Sequence, residues 1–143
     1  MRRIQVVGTA LLTTGVIGCP GIIDALRPDE TTVRLVNNSD FDVEIVLDYD
    51  DQQDVPSDVI DDVGQRLDFI IPAGGVESFT RDCDSLQAIR IQRAELRVIG
   101  GGGPNASSDT FRDGSDFNCR DTLTFTFDHS GLILDFDVTF RSD

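Results

Sequence analysis

Residues 48–65, DYDDQQDVPSDVIDDVGQ, form the segment whose side chains best suit ligand chemistry. It contains seven aspartates: Asp48, Asp50, Asp51, Asp54, Asp58, Asp61 and Asp62. Ca²⁺ binds about six to eight oxygen ligands, which carboxylates supply. The spacing departs from an EF-hand loop, because the sixth position from Asp48 is Gln53 and the twelfth is Val59. Two interpretations stay open: a calcium site, or a solvated acidic loop that its like charges keep extended.

A second segment of similar composition covers residues 100–118, GGGGPNASSDTFRDGSDFN. Its oxygen-bearing residues Asp109, Asp113, Asp116 and Asn118 make it another possible calcium site. The glycine run does not resemble a phosphate-binding loop, because no Lys-Ser/Thr pair follows it and no strand-to-helix transition surrounds it. We expect the run to be a flexible hairpin connection.

His129 is the single histidine of the chain and lies between Asp128 and Ser130 in the sequence DHSG. Neighbours in a turn do not make a catalytic relay by themselves, because a triad is a spatial arrangement. Acidic residues are so numerous that a glycosidase-like carboxylate pair would arise by chance. We therefore predict a protein that is not an enzyme.

The chain has three cysteines, Cys19, Cys83 and Cys119, and none is part of a CxxC motif. Zinc needs three or four ligands at short spacings, and a catalytic thiol needs a base close by. His129 would have to be the only histidine ligand of a zinc site or the only histidine base of a catalytic thiol. We therefore expect the cysteines to have other roles.

The first cysteine follows a segment with the features of an export signal. MRR is basic, and residues 4–18, IQVVGTALLTTGVIG, are mostly apolar. A helix of that length spans about 22 Å, which is short of the ~30 Å hydrocarbon core of a bilayer. With Val16, Ile17 and Gly18 directly before Cys19, the segment resembles the lipobox of bacterial lipoprotein signal peptides.

That resemblance implies a diacylglyceryl group on the Cys19 thiol, cleavage after Gly18 and acylation of the new N-terminus. It places the protein in the bacterial cell envelope, on the periplasmic or the surface face. The alternatives are a buried Cys19 in an N-terminal helix, or a soluble exported protein cut elsewhere. Once Cys19 carries lipid, Cys83 and Cys119 are an even pair in an oxidising compartment, which favours a disulfide.

The charge of the chain limits its partners. The formal net charge is −14, from 12 basic and 26 acidic residues, and every basic residue is arginine. Such a surface repels phosphate backbones and anionic lipid headgroups, which excludes nucleic acid as the main partner.

Alternating apolar and polar residues over most of residues 32–143 predict β-strands. FDVEIVLD places Phe41, Val43, Ile45 and Leu47 on one face, and RLDFIIP repeats the pattern. In LQAIRIQRAELRVIG the apolar residues move from odd-numbered to even-numbered positions, which indicates a β-bulge near Gln92–Arg93. TLTFTFD and LILDFDVTF, with Leu132 and Leu134 in its apolar set, predict a C-terminal hairpin.

These patterns predict an all-β fold: an antiparallel two-sheet sandwich of about seven strands and immunoglobulin-like general shape, with a small barrel as the alternative. We expect residues 1–18 to be a cleaved signal, residues 19–31 a lipidated tether, and residues 32–143 the folded domain. The function predicted is a non-enzymatic structural or protein-interaction role, with no cofactor and with an unknown envelope protein or glycan as partner. The alternative is a calcium-dependent module that binds a carbohydrate or protein.

Overall fold

A computed structural model of the chain describes residues 29–129 and 135–143. The predicted signal, Cys19, almost all of the tether, and Leu132 and Leu134 lie outside those ranges. Within them, no helix has both the length and the apolar character needed to cross a membrane.

The described residues form nine strands and one short helix. The strands are β1 (Glu30–Asn37), β2 (Asp42–Asp50), β3 (Gln65–Ile71), β4 (Val76–Asp82), β5 (Ala88–Val98), β6 (Gly101–Ala106), β7 (Phe111–Arg112), β8 (Thr122–His129) and β9 (Phe136–Ser142). The helix α1 (Ile60–Val63) precedes β3, and a single 3-10 turn (Cys83–Ser85) follows β4. The first strand therefore begins at Glu30, within the segment expected to be the tether.

Two sheets pack face to face and do not close into a barrel, which confirms the predicted β-sandwich. One sheet has the order β4-β1-β8-β9, and the other has the order β3-β2-β5-β6 with β7 beside β5. All pairings are antiparallel except one, because β1 and β8 run parallel. A parallel pair needs a long connection, and here most of the domain lies between the two strands.

The core lies between the sheets and follows the period-2 pattern of the strands. Val33 and Leu35 of β1 face Ile45 and Leu47 of β2, and all four are fully buried. The core also contains buried aromatic residues, among them Phe125 and Phe127 of β8 and Phe117, which precedes β8.

The predicted bulge and hairpin are both present. Along the β2–β5 ladder Val46 is opposite Arg93 while Leu47 is opposite Ile91, so Gln92 is the inserted residue. This insertion moves the apolar set of β5 from odd to even positions and keeps it facing the core. In the hairpin, β8 and β9 pair antiparallel along their full lengths.

The glycine run is the expected hairpin connection only in part, because Gly100 lies in the turn between β5 and β6 whereas the glycines after it belong to a strand. Gly101–Ala106 forms β6, which pairs with β5 across an irregular register. Built at Gly103, a Cβ would lie 2.4 Å from the carbonyl oxygen of Leu96. Glycine at this position allows β6 to approach β5 closely.

The predicted disulfide is present between Cys83 and Cys119, with Cα atoms 5.3 Å apart. Cys83 directly follows β4, and Cys119 lies shortly before β8. Because β4 and β8 are the two neighbours of β1 in the sheet, the disulfide joins the strands on either side of it.

Candidate functional site

The aspartate-rich segment is folded onto the sandwich. We call residues 51–64 the acidic flap, because they cover the outer face of the five-stranded sheet near the C-terminal end of β2. Val55 and Ile60 of the flap pack on Ala88 in a small apolar cluster. At Gly64 a Cβ would lie 2.9 Å from the carbonyl oxygen of Tyr49, so only glycine allows the flap to return so close to β2.

Asp48 lies under this flap and is the most buried carboxylate of the described chain, with 1% of its side chain exposed. It is opposite Arg66 of β3 and Arg90 of β5 in the ladder. The Nε of Arg66 donates to Oδ1 of Asp48 at 3.1 Å. Oδ2 of Asp48 is buried without a hydrogen-bond partner in the described structure.

Asp61 of α1, within the acidic flap, adds a second carboxylate beside Asp48, Arg66 and Arg90. Its Oδ1 lies 3.5 Å from the Nε of Arg90, and an Nη1 hydrogen of Arg90 is donated to the carbonyl of Ser57 at 2.7 Å. Two carboxylates and two guanidinium groups thus fix the flap to three strands. The network neutralises itself, as buried charges must.

Burial raises the pKa of Asp48, and the nearby Asp61 carboxylate adds to the increase, while Arg66 opposes it. The desolvation effect is the largest because Arg66 is itself 47% exposed and therefore shielded by water. The folded protein consequently favours the protonated form of Asp48 relative to the unfolded chain.

The other aspartates of the segment do not converge on a common point. Asp50 is the last residue of β2, and its Oδ1 accepts a hydrogen bond from the backbone N–H of Gln52 at 2.9 Å. The remaining members are exposed and make no ion pair in the described structure; they are Asp51, Asp54, Asp58 and Asp62.

The acidic residues of the second segment shape the turn between β7 and β8. Oδ2 of Asp116 accepts from the amide of Arg112 at 2.8 Å, and Gly114 has φ 73°, a left-handed conformation that favours glycine. The backbone N–H of Asn118 donates to Oδ2 of Asp121 at 2.8 Å. Asp109 is exposed.

The two segments meet through hydrogen bonds to backbone carbonyls and through a hydrogen bond of 3.2 Å from Arg112 to the Ser57 hydroxyl, but not through their carboxylates. The side-chain amide of Gln53 donates to the carbonyl of Asp113, and Arg112 donates to the carbonyl of Gln53. Among residues 29–129 and 135–143, no three His, Cys, Asp or Glu side chains are placed to hold a metal ion. Calcium binding by Asp48, Asp50, Asp51, Asp54, Asp113 and Asp116 stays an untested prediction.

A cavity of about 600 Å³ lies beside the disulfide, and the sequence did not indicate it. Four separate segments line it, and three of them supply carboxylates: Asp29, Glu30, Asp82, Asp84 and Asp113. No single segment carries this pattern. Only the pairing of Cys83 with Cys119 could have predicted that these segments meet.

This same end of the sandwich receives the chain from the predicted tether. The amide of Cys83 donates to the carbonyl of Asp29 at 2.9 Å, and Arg120 forms an ion pair of 2.6 Å with the Asp29 carboxylate. The amide of Arg120 also donates to Oγ1 of Thr31 at 3.3 Å. We call this arrangement around Asp29, Thr31 and the disulfide the entry clamp.

His129 lies at the opposite end, where β8 finishes. Its ring meets Phe41 edge-on with centroids 5.6 Å apart, and its Nε2 is 3.7 Å from Oδ2 of Asp40. Its sequence neighbour Ser130 is outside the described residues. The prediction that the chain is not an enzyme stays untested.

Comparison with known proteins gives structural likenesses only. No protein-family model matches the chain, and no curated protein is a significant match. An NMR structure of a protein from Eubacterium rectale has 14% identity and a TM-score of 0.46, over 80% of this chain and 91% of that one. The T6SS lipoprotein TssJ1 from Pseudomonas aeruginosa has 10% identity and a TM-score of 0.47, over 82% of this chain and 98% of that one.

Wild-type pneumolysin also matches, with 9% identity and a TM-score of 0.40. The match covers 80% of this chain and 23% of pneumolysin. At these identities and TM-scores, none of the three structures transfers an activity, a ligand or a residue role to this chain.

Proposed function

We propose that this chain is a lipid-anchored protein of the bacterial cell envelope whose β-sandwich has a non-enzymatic, structural or protein-interaction role. Its partner would be an envelope protein or a glycan. The N-terminal sequence supports the anchor, since Val16, Ile17 and Gly18 precede Cys19 after a basic and apolar leader.

The observation that carries the proposal is the entry clamp. The last residues of the expected tether are held to the sandwich by an ion pair and two hydrogen bonds beside the disulfide, within a few residues of Asp29. Structural disulfides are typical of oxidising compartments and rare in the cytosol, which agrees with export. A domain held from its N-terminus needs order at exactly that end, because chain termini otherwise fray.

The buried polar side chains support a scaffold rather than a reactive site. The side-chain amide of Asn37 donates to the carbonyls of Phe41, Ile71 and Pro72 at 2.8–3.0 Å. Ser39 likewise donates to the carbonyl of Phe41 at 2.8 Å. These contacts fix two neighbouring turns, as buried polar groups in a structural role do.

Mass spectrometry of the membrane-extracted protein tests the anchor. We expect the mature chain to begin at Cys19 and to carry the mass of a diacylglyceryl group, with further acylation of its amine. Replacing Cys19→Ser should abolish this modification and leave the protein unprocessed, since the thiol is the acceptor. Two or more acyl chains give stable membrane binding, whereas one is marginal.

The other two cysteines provide the matched control. The double variant Cys83→Ser, Cys119→Ser also removes thiols, and it should still be lipidated and found in the membrane fraction. A mature N-terminus other than lipidated Cys19 in the native protein would refute the proposed anchor.

A further inference from the structure

β4 is the edge strand of the four-stranded sheet, and its register shows which of its backbone groups are free. The backbone N–H of Asn37 donates to the carbonyl of Gly75, and the backbone N–H of Cys83 donates to the carbonyl of Asp29, both at 2.9 Å. These pairs continue the β1–β4 register, and hydrogen-bonded pairs alternate along an antiparallel ladder. The odd-numbered residues of β4 therefore bond to β1. The even-numbered residues Val76, Ser78, Thr80 and Asp82 direct their N–H and C=O groups away from the sheet.

This free edge is regular enough to accept another strand. β4 contains no proline, and its register with β1 has no bulge over seven residues. Its charged side chains, which discourage pairing with an unrelated strand, include Glu77 and Arg81. The opposite edge strand of the same sheet, β9, contacts β6 of the other sheet. No described strand pairs with the outer side of β4.

Two charged side chains of β4 also lack a counter-ion. Arg81 donates its Nε hydrogen to the hydroxyl of Tyr49 at 2.9 Å, and its guanidinium group lies over the Tyr49 and Phe79 rings. It forms no ion pair in the described structure, and neither does Glu77. The two charges lie on the same face of the strand, symmetrically on either side of Phe79.

We propose that β4 pairs antiparallel with β4 of a second copy of this chain, centred on Phe79, so that the two four-stranded sheets become continuous. In this register Ser78 of each copy is opposite Thr80 of the other, and the N–H and C=O groups that they direct away from β1 complete hydrogen-bonded pairs. Glu77 of each copy is opposite Arg81 of the other. That pair is non-hydrogen-bonded, the type in which facing side chains come closest.

The Arg81 side chain does not block this pairing. It already donates to the carbonyl of Thr80 at 2.8 Å. A carbonyl oxygen has two lone pairs, so the same group also accepts the amide hydrogen from the second copy.

Size and charge make this a weak interface in dilute solution. One strand edge buries less than the ~1,200 Å² typical of stable complexes, and each chain has a net charge of −14. Confinement of both copies to membrane surfaces would raise their effective concentration and favour the pairing. The pairing itself does not depend on the proposed anchor, so either proposal can fail alone.

Sedimentation equilibrium of the full chain, purified in density-matched detergent, tests the proposal through the two charges. Glu77→Arg places arginine opposite arginine, and we expect it to weaken dimerisation about tenfold or more. It also makes the chain less acidic, so general repulsion alone would predict tighter association. Arg81→Glu places glutamate opposite glutamate and should weaken dimerisation similarly.

A mixture of the two variants is the decisive measurement. Each chain then supplies the charge that the other lacks at both positions, so a heterodimer should form with near-native affinity although each variant alone stays monomeric. Circular dichroism checks that both variants are folded. A mixture that stays monomeric would overturn the proposal, as would a native chain that is monomeric throughout or that associates independently of residues 77 and 81.

The backbone contribution has its own matched pair. Thr80→Pro removes an N–H that points away from the sheet, so the fold should persist while dimerisation is lost. Thr80→Ala keeps the N–H and should dimerise like the native chain. Equal dimerisation of the two variants would contradict pairing through this edge.

Discussion

The outer faces of the two sheets arise from the same alternating pattern but differ in chemistry and cover. On the five-stranded sheet, Asp48 lies beneath the acidic flap and pairs with Arg66, while the neighbouring Arg90 pairs with Asp61 of the flap. On the four-stranded sheet the outward positions of β1, β4, β8 and β9 carry hydroxyl, charged and valine side chains; the hydroxyl-bearing residues are Thr32, Ser78, Thr80, Thr122, Thr124, Thr126 and Thr139. No described segment covers that face.

This difference shows that an outward position in a strand is not necessarily a solvated one. Alternation in FDVEIVLD places Asp48 away from the core between the sheets, as found. The flap then adds a second, smaller apolar cluster on that side and excludes water from the carboxylate. A carboxylate in such a place needs cations, and Arg66 and Arg90 flank it on the two neighbouring strands.

Removing apolar volume beneath the flap should give the largest effect. Ile60 is fully buried, and Ile60→Ala should lower the free energy of unfolding by about 2–4 kcal/mol. Val36→Ala removes one carbon fewer, from the uncovered face where Val36 is only partly buried, and should cost less than about 1 kcal/mol. Urea unfolding measures both, and equal costs would mean that the flap contributes no second core.

The buried carboxylate gives a pH effect that the uncovered face lacks. Because the folded protein favours protonated Asp48, protonation of this residue stabilises the fold. This stabilisation is fully present below about pH 3.9, the ordinary pKa of an aspartate, and is lost as the pH rises through the raised pKa of Asp48 in the folded state. Asp48→Asn cannot ionise and keeps an oxygen for Arg66. Its free energy of unfolding should therefore rise relative to that of the native chain between about pH 3.5 and pH 7.

Asp68→Asn is the control for this measurement, because it removes an exposed carboxylate from the neighbouring strand β3. Its stability should follow that of the native chain across the same range. If both variants show the same pH dependence, burial of Asp48 is not the cause.

Calcium should have the smallest effect. Arg66 already holds Asp48, and no three acidic side chains of residues 29–129 and 135–143 converge. We expect the Tm in millimolar Ca²⁺ to agree with that in chelator within about 1 °C, because a ligand stabilises only as far as its concentration exceeds its Kd. A rise of several degrees that the double variant Asp51→Asn, Asp54→Asn abolishes would instead establish the acidic flap as a calcium site.

The sequence predicted what depends on local patterns. A change of phase within β5 was enough to locate the bulge at Gln92, and two period-2 runs were enough to pair β8 with β9. Whether the acidic segment packs on the sheet or stays in solvent depends instead on a few apolar residues among many charged ones. Ile60 and Val55 have no periodic neighbours to mark them, so their packing on Ala88 could not be read from the pattern.

The parallel pairing of β1 with β8 was missed for a related reason. Alternation says which face of a strand is buried, but not which strand lies beside it or in which direction. β6 was missed because glycines carry no side chains to alternate, and its pairing with β5 depends on close backbone approach. The cavity at the disulfide likewise needs four segments that only the tertiary fold brings together.

The position of β1 has a mechanical consequence. Any tension applied through residue 29 pulls along a strand that is hydrogen-bonded on both sides, so the bonds of two ladders resist together in shear instead of opening one after another. The disulfide bonds the two flanking strands to each other at the end where the load enters. A domain connected in this way would transmit a pull to its whole four-stranded sheet before its first strand separated.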